Sequence, residues 1–237
     1  MSLDGKRIVV TGASSGIGLA IAGLLVERGA EVFGLCRRIG KLPEGVVPVS
    51  CDLLQGERIG HAFEIIDEAV DGVDGLVNNA GLAYLERVMD GSRERFEEMW
   101  RVNVQGLLIC TQEALRRFPD SGGRVVNLSS MSGHRVPPTG GFYSPTKFAV
   151  RALTESLRLE LAAEGLRHQV ATVSPGFVDT PLLDHYFEGR EEQLAAMRAE
   201  TPMLKPSDVA EAVVGILEAP GHVNVGDVQL RPAGQKV

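Results

Sequence analysis

Short runs of β-branched and apolar residues alternate with longer segments of helical period along the whole chain, and no other feature limits the possible folds as much. Residues 7–11 (R-I-V-V-T), 31–36 (E-V-F-G-L-C), 46–50 (V-V-P-V-S), 73–78 (V-D-G-L-V-N), 124–129 (R-V-V-N-L-S) and 169–174 (Q-V-A-T-V-S) are brief and apolar, as strands covered on both faces are. Helix-length segments lie between them at about 17–28, 57–70, 92–118 and 142–164, and another follows at about 207–218. Within 142–164, Leu153, Leu157 and Leu161 recur at every fourth position and are expected to line one face. Strand, helix and strand in succession return by right-handed crossovers, so the alternation predicts an α/β fold, a doubly wound parallel sheet flanked by helices on both faces. A seventh strand is expected at 223–230 (V-N-V-G-D-V-Q-L). No repeat, low-complexity tract or linker divides the chain, and 237 residues suit one α/β domain, so residues 1–237 are read as a single domain.

Charge narrows the possible partners. A net charge of −7 without a basic stripe argues against binding a nucleic-acid backbone. Cys36, Cys51 and Cys110 are far apart and odd in number, which suits neither a zinc site nor a disulfide framework, so they are read as reduced core residues and no metal is expected. The N-terminal M-S-L-D-G-K-R leads into an apolar run too short for a signal peptide, and no run approaches membrane-spanning length, so a cytoplasmic protein without a membrane partner is expected.

The first strand ends in T-G-A-S-S-G-I-G, residues 11–18, and an apolar helix follows at once. Gly12, Gly16 and Gly18 permit a tight turn and let the backbone approach a ligand, while free N–H groups at a helix start favour a pyrophosphate. Taken alone, such a loop is often an ordinary strand-to-helix turn. Its place between the first strand and the first helix of an open parallel sheet is where dinucleotides bind.

The stretch F-Y-S-P-T-K-F, residues 142–148, sets a phenol and an ammonium four positions apart at the head of a helix, so Tyr143 and Lys147 share one face. Pro145 lacks an N–H and suits only the first turn, which puts the helix start just before Tyr143. A neighbouring ammonium is expected to lower the phenol's pKa from about 10, making it a usable acid or base. Ser130 follows the strand at 124–129, at the carboxyl end where ligands bind in such sheets, and alternation turns the adjacent Ser129 to the other side.

Four motifs in this order, T-G-A-S-S-G-I-G at 11–18, N-N-A-G at 78–81, Ser130 with Tyr143-x-x-x-Lys147, and P-G-F-V-D-T at 175–180, resemble the short-chain dehydrogenase/reductases, from residue 6 to about 230. The glycine order G-x-x-x-G-x-G belongs to that resemblance and differs from the G-x-G-x-x-G of other dinucleotide folds. The resemblance implies a single-domain Rossmann fold of about seven strands and hydride transfer between a nicotinamide and a carbonyl or secondary alcohol. It assigns Tyr143 as proton donor, Lys147 as the residue that lowers its pKa and binds the nicotinamide ribose, and Ser130 as holder of the carbonyl. Asn103 would bend its helix and complete a proton relay through a water. Cofactor contacts would come from Gly12, Ser14, Ser15, Gly16, Ile17 and Gly18, from Asp52 and Leu53 at the adenine, and from Asn79, Ala80 and Gly81 along the adenosine and ribose. Pro175, Gly176, Val178 and Thr180 would border the nicotinamide carboxamide. Assembly as a homodimer or homotetramer through the helices at about 92–118 and 142–164 is implied in the same way.

Cofactor choice has its own signal. An acidic residue about twenty positions past the glycine loop binds the 2′-hydroxyl of NAD, whereas an arginine there accommodates the 2′-phosphate of NADP. The second strand ends Cys36-Arg37-Arg38, so Arg37 and Arg38 predict NADPH over NADH, while Ser15 stands where many NADP-binding relatives carry a second basic residue.

Substrate class stays open at this level. S-M-S-G-H-R-V at 130–136 and G-D-V-Q-L-R-P at 226–232 are similar to a subgroup of NADP-dependent carbonyl and 3-ketosteroid reductases that includes family member eleven and farnesol dehydrogenases. A second subgroup, acting on 3-hydroxy acids such as serine or allo-threonine, also resembles the chain, and His134 and Arg135 would then bind a carboxylate. Residues 181–204 mix Leu, Tyr, Phe and Met with charges and are expected to form a mobile lid, or else a plain amphipathic helix. A methyltransferase shares the loop and sheet but needs no serine, tyrosine and lysine set. A non-catalytic, NADP-sensing protein of the same fold is the more serious rival, although such proteins often lack the tyrosine.

Overall fold

The computed structural model describes residues 2–137, 140–200 and 202–234. Seven strands form one parallel sheet: β1 (Arg7–Thr11), β2 (Glu31–Cys36), β3 (Val46–Ser50), β4 (Gly75–Asn78), β5 (Arg124–Leu128), β6 (Gln169–Pro175) and β7 (Asp227–Leu230). Their spatial order is β3-β2-β1-β4-β5-β6-β7, so the winding reverses between β1 and β4 and opens a crevice there. β3 contains Pro48, which cannot donate to a ladder, and β3 lies at the sheet edge where that missing donor is tolerated.

Successive residues of β1 serve opposite layers. Ile8 and Val10 pack with Ile21 and Leu25 of α1 (Gly16–Glu27) and with Val213 and Val214 of α8 (Pro206–Glu218). Val9 packs with Ile59, Phe63 and Ile66 of α2 (Gly56–Ala69) and with Cys110 of α4 (Leu107–Leu115) on the other side. Burying a side chain the size of Phe33 or Phe63 contributes about 1.5–3 kcal/mol, so the two layers hold the sheet from both faces. Cys36, Cys51 and Cys110 are free and buried, as expected.

Most expected elements match within one or two residues, and the departures have identifiable causes. β4 begins two residues late because the Val73 N–H is taken by the Arg117 carbonyl. β7 covers only the second half of 223–230, since the chain turns at Pro220–Val223 and the ladder starts where Thr172 donates to Gly226. The helix expected at 92–118 is three pieces: α3 (Arg93–Trp100), a π-helical turn (Arg101–Gly106) and α4, ending at Leu115. The wide turn contains Asn103, the residue expected to bend this helix, and side chains bound off-axis are a common reason for such turns. α5 (Tyr143–Ala163) starts where Pro145 predicted. Its buried residues are Ser144, Thr146, Lys147, Val150, Thr154 and Leu161, so Leu153 and Leu157 of the expected leucine stripe are only half-buried. The first three turns of α5 set Lys147 and Thr154 against polar groups at the carboxyl end of β5, and Leu157 and Leu161 reach the apolar layer.

Residues 181–200 fold as two helices, α6 (Pro181–Tyr186) and α7 (Glu191–Glu200), with Thr201 of the expected lid outside the described residues. Leu85 N–H donates to the Tyr186 carbonyl at 3.2 Å, and Arg95 bridges Glu86 at 2.9 Å and Glu188 at 2.8 Å. These bonds tie the pair of helices to the segment after β4.

Candidate active site

A cavity of about 440 Å³ opens at the carboxyl ends of the strands, at the point where the winding reverses. Of the residues singled out in the sequence, Gly12, Ser14, Ser15, Gly16, Ile17, Arg37, Arg38, Asp52, Leu53, Asn79, Ala80, Gly81, Ser130, Tyr143, Lys147, Pro175, Gly176, Val178 and Thr180 line it. Gly18 and Asn103 lie behind its wall.

The glycine turn is built for close approach. Gly12 has φ +68°, and a Cβ there would stand 2.9 Å from the Ala80 Cα, so only glycine allows the N-N-A-G segment to lie against the turn. Asn79 stitches the two together, its Nδ2 donating to Thr11 O at 2.9 Å. The Thr11 hydroxyl accepts from the Asn79 and Ala80 N–H groups, each at 3.0 Å. Thr11 was not among the expected site residues. Its signal was its place at the head of the glycine motif, where a buried hydroxyl can satisfy two loop donors. α1 then begins at Gly16 with no side-chain cap from Ser15 and no acidic residue in its first turn, which leaves its N-terminal donors suited to an anion.

At the end of β2, Arg37 and Arg38 are exposed at the cavity rim, and the Arg38 guanidinium donates to Ser15 Oγ at 3.4 Å. The one carboxylate among the expected contacts, Asp52, accepts from the Leu54 N–H at 3.1 Å. These residues fit a dinucleotide: a turn that a Cβ would fill, uncapped helix donors, and two cations at the cavity rim where β2 ends.

Beyond β5 the chemistry-bearing side chains meet. Ser129 turns inward, its Oγ donating to the Lys147 carbonyl at 3.0 Å, whereas Ser130 faces the cavity that Tyr143 also lines. The Ser130 Oγ also accepts from the Ser132 N–H at 3.1 Å, opening a short 3₁₀ turn at Met131–Gly133. The Lys147 Nζ lies 5.7 Å from the centroid of the Tyr143 ring and donates to the Leu128 carbonyl at 2.9 Å. Asn103 is buried, exchanges two hydrogen bonds with the Leu82 backbone at 2.7 and 2.8 Å, and donates to Thr146 Oγ1 at 3.1 Å. It thereby joins the segment after β4 to the first turn of α5.

One electrostatic expectation is corrected. Burial pushes the Tyr143 phenol well above its ordinary value, the Ser130 hydroxyl pulls it down, and Tyr186 adds to the rise. Burial outweighs the neighbouring ammonium of Lys147, which lies 5.7 Å from the ring centroid and donates to the Leu128 carbonyl. Burial also pushes Lys147 itself down from 10.5 to about 8.

Met131, Leu183, Tyr186, Phe187 and Met197 give the remaining wall an apolar and aromatic part, with Ser132, Arg135 and His185 also lining it, and the Tyr186 ring lies 5.9 Å from that of Tyr143. His134 and Arg135 separate: Arg135 lines the cavity, whereas His134 turns away to Ser174 and β7.

An open parallel sheet that gathers a glycine turn, a serine, a tyrosine and a lysine around one crevice defines a dinucleotide-dependent class of α/β protein. Residues 6–191 match the short chain dehydrogenase family, and the chain belongs to the short-chain dehydrogenase/reductases, a family of oxidoreductases. It is 41% identical over 247 residues to dehydrogenase/reductase SDR family member 11 of Bos taurus, covering 97% of each chain. It is 36% identical over 249 residues to the farnesol dehydrogenase of Aedes aegypti, covering 98% of each. Among solved structures, the closed form of a serine dehydrogenase complexed with NADP+ superposes with a TM-score of 0.91 at 28% identity, over 98% of this chain and 96% of that one.

Proposed function

We propose that the protein is an NADP(H)-dependent carbonyl reductase and secondary-alcohol dehydrogenase, acting on ketones or aldehydes with apolar bodies, ketosteroids included. The observation that carries this reading is that Ser130, Tyr143 and Lys147 line the same cavity as the glycine turn. When bound, the nicotinamide supplies or accepts the hydride. Ser130 holds the carbonyl oxygen beside the phenol, and Tyr143 gives that oxygen its proton in reduction and takes it back in oxidation. Lys147, still mostly ammonium at neutral pH with its pKa near 8, holds ribose hydroxyls and offers positive charge to the forming phenolate. Asn103 holds Leu82 against Thr146 and so keeps Gly81 close to Lys147: a Cβ on Gly81 would stand 3.4 Å from Asn103 Oδ1 and 3.8 Å from Lys147 Nζ. Arg37 and Arg38 receive the 2′-phosphate, which sets NADPH over NADH. The apolar wall of Met131, Leu183, Tyr186, Phe187 and Met197 supports a bulky, uncharged substrate.

A second reading, a 3-hydroxy acid dehydrogenase, is favoured by Arg135 at the cavity and by the likeness to an NADP-complexed serine dehydrogenase. Mixing the protein with NADPH and a panel of ketones, aldehydes and ketosteroids, and with NADP+ and 3-hydroxy acids, separates the two. NADPH binding without turnover on any panel member would replace both with a cofactor-sensing role.

The same proposal includes assembly as a homodimer or homotetramer. Trp100, Leu108, Phe148 and Leu159 are large, exposed and carried by α3, α4 and α5. Light scattering showing a monomer at micromolar concentration would contradict it. Three free buried thiols agree with a cytoplasmic setting, and among the described residues no helix is long and apolar enough to cross a membrane.

A further inference from the structure

The two stretches 130–136 and 226–232, remote in the chain, touch in the fold, and His134 is where they meet. The ring Nε2 lies 3.0 Å from the Oγ of Ser174, a fully buried residue of β6, and 3.5 Å from Asp227 Oδ2 on β7. The Gln229 amide stands 3.4 Å from the ring Nδ1 on the opposite side. A neutral ring with its proton on Nε2 donates toward Ser174 and Asp227 and accepts from Gln229, so both nitrogens are used. Burial and the nearby Arg151 favour that neutral form, with Arg231 acting the same way and Asp227 opposing. Arg151 of α5 adds a clamp, donating from Nη1 to the Gly133 carbonyl at 3.0 Å while its Nη2 lies 3.6 Å from Asp227.

The turn held by these contacts is the one that carries Ser130 at its start and Arg135 at its end. The backbone bonds of the turn itself are short-range, Gly133 N–H to Ser130 O, Ser132 N–H to Ser130 Oγ, and the His134 and Arg135 N–H groups to Met131 O, while Gly133 packs against the Lys147 backbone of α5. We propose that His134 is a positioning residue for the reaction: anchored to Ser174, Asp227 and Gln229, it fixes the Ser130 turn against β6 and β7 and thereby sets where the Ser130 hydroxyl meets Tyr143. This rests on the reading of Ser130 as the carbonyl-holding group. A displacement of about 1 Å in such a group can cost roughly a hundredfold in rate, so a residue that never touches substrate can still govern kcat.

The test uses the full chain with NADPH and the best carbonyl substrate of the panel. His134→Leu is expected to lower kcat about tenfold or more, leaving the NADPH dissociation constant unchanged. His134→Gln, whose amide can reach the Nε2 partners, is expected to restore most of the loss. In a Ser130→Ala background, His134→Leu is expected to cost less than threefold, because the group it positions is gone. Hydrogen exchange supplies an arm independent of turnover: amides of residues 131–135 should exchange at least tenfold faster in His134→Leu, with those of α5 unchanged. Gln229→Leu, at an exposed partner, should move exchange and kcat in the same direction by a smaller factor, which covers the case of a poorly folding His134→Leu. Unchanged exchange at 131–135, or an equal fold-loss in the two backgrounds, overturns the positioning role. Ser130→Ala turning over like wild type overturns the reading of Ser130 instead, and the exchange arm still decides whether His134 holds the turn.

Discussion

The same substitution at two positions of one helix should change stability in opposite directions. Gly18 and Gly23 both lie in α1, where alanine is intrinsically favoured over glycine by about 1 kcal/mol. A Cβ at Gly23 would find its nearest neighbour, Pro43 Cγ, at 3.9 Å, an ordinary contact. A Cβ at Gly18 would stand 2.3 Å from Asn79 Nδ2 and 2.4 Å from the Gly12 carbonyl oxygen, closer than carbon atoms approach such groups. Relief requires the glycine turn to shift or Asn79 to give up its bond to Thr11 O. Overpacking of this kind costs about 1–3 kcal/mol, and a lost hydrogen bond adds roughly 0.5–1.5 kcal/mol. Set against the helix gain, Gly18→Ala is expected to destabilise by about 2 kcal/mol, and at about 2–4 °C per kcal/mol for a chain of this size its Tm falls by roughly 4–8 °C. Gly23→Ala should raise Tm by about 1–4 °C. Thermal unfolding by circular dichroism checks both, and NADPH titration checks a corollary: the shifted turn in Gly18→Ala weakens binding, while Gly23→Ala leaves it unchanged. A Gly18→Ala protein as stable as wild type would refute the claim that the N-N-A-G segment and the helix are packed through this glycine.

Tyr143→Phe removes the proton donor and almost no volume, so NADPH binding should persist while kcat falls about 10²–10⁴-fold; retention of more than a tenth of wild-type kcat would remove Tyr143 from the acid role. Arg37→Ala should raise KM for NADPH and leave KM for NADH nearly unchanged, and a wild-type kcat/KM with NADH equal to or above that with NADPH would defeat the reading of this arginine. Lys147 is expected to make stability depend on pH. The unfolded chain keeps that proton up to about pH 10.5 whereas the folded one releases it near 8, so the unfolded state binds more protons in between and wild-type stability rises across that window. Lys147→Met abolishes the titration, so its Tm advantage over wild type should be largest below pH 8 and shrink toward pH 10.5; an advantage that widens with pH would contradict the buried-lysine account.

Strand positions and helix phases were legible because they depend on local period: β1, β2 and β3 lie where short apolar runs placed them, and α5 starts where Pro145 allowed. The cavity lining was legible for the same reason. Its residues follow strand ends and glycine turns, and in a parallel sheet all strand ends face one crevice. What lay beyond the sequence involved partners distant in the chain. The neighbours His134 and Arg135 take opposite directions because β7, ninety-odd positions later, offers Asp227 and Gln229 to one of them. α5 buries threonines and a lysine where a leucine stripe was expected, because Asn103, Asn127 and the Leu128 carbonyl lie against it. The phenol of Tyr143 rises and the ammonium of Lys147 falls, against the expectation from their four-residue spacing. Spacing brings the two groups together, but desolvation by the folded layers around them is a property of the whole tertiary structure.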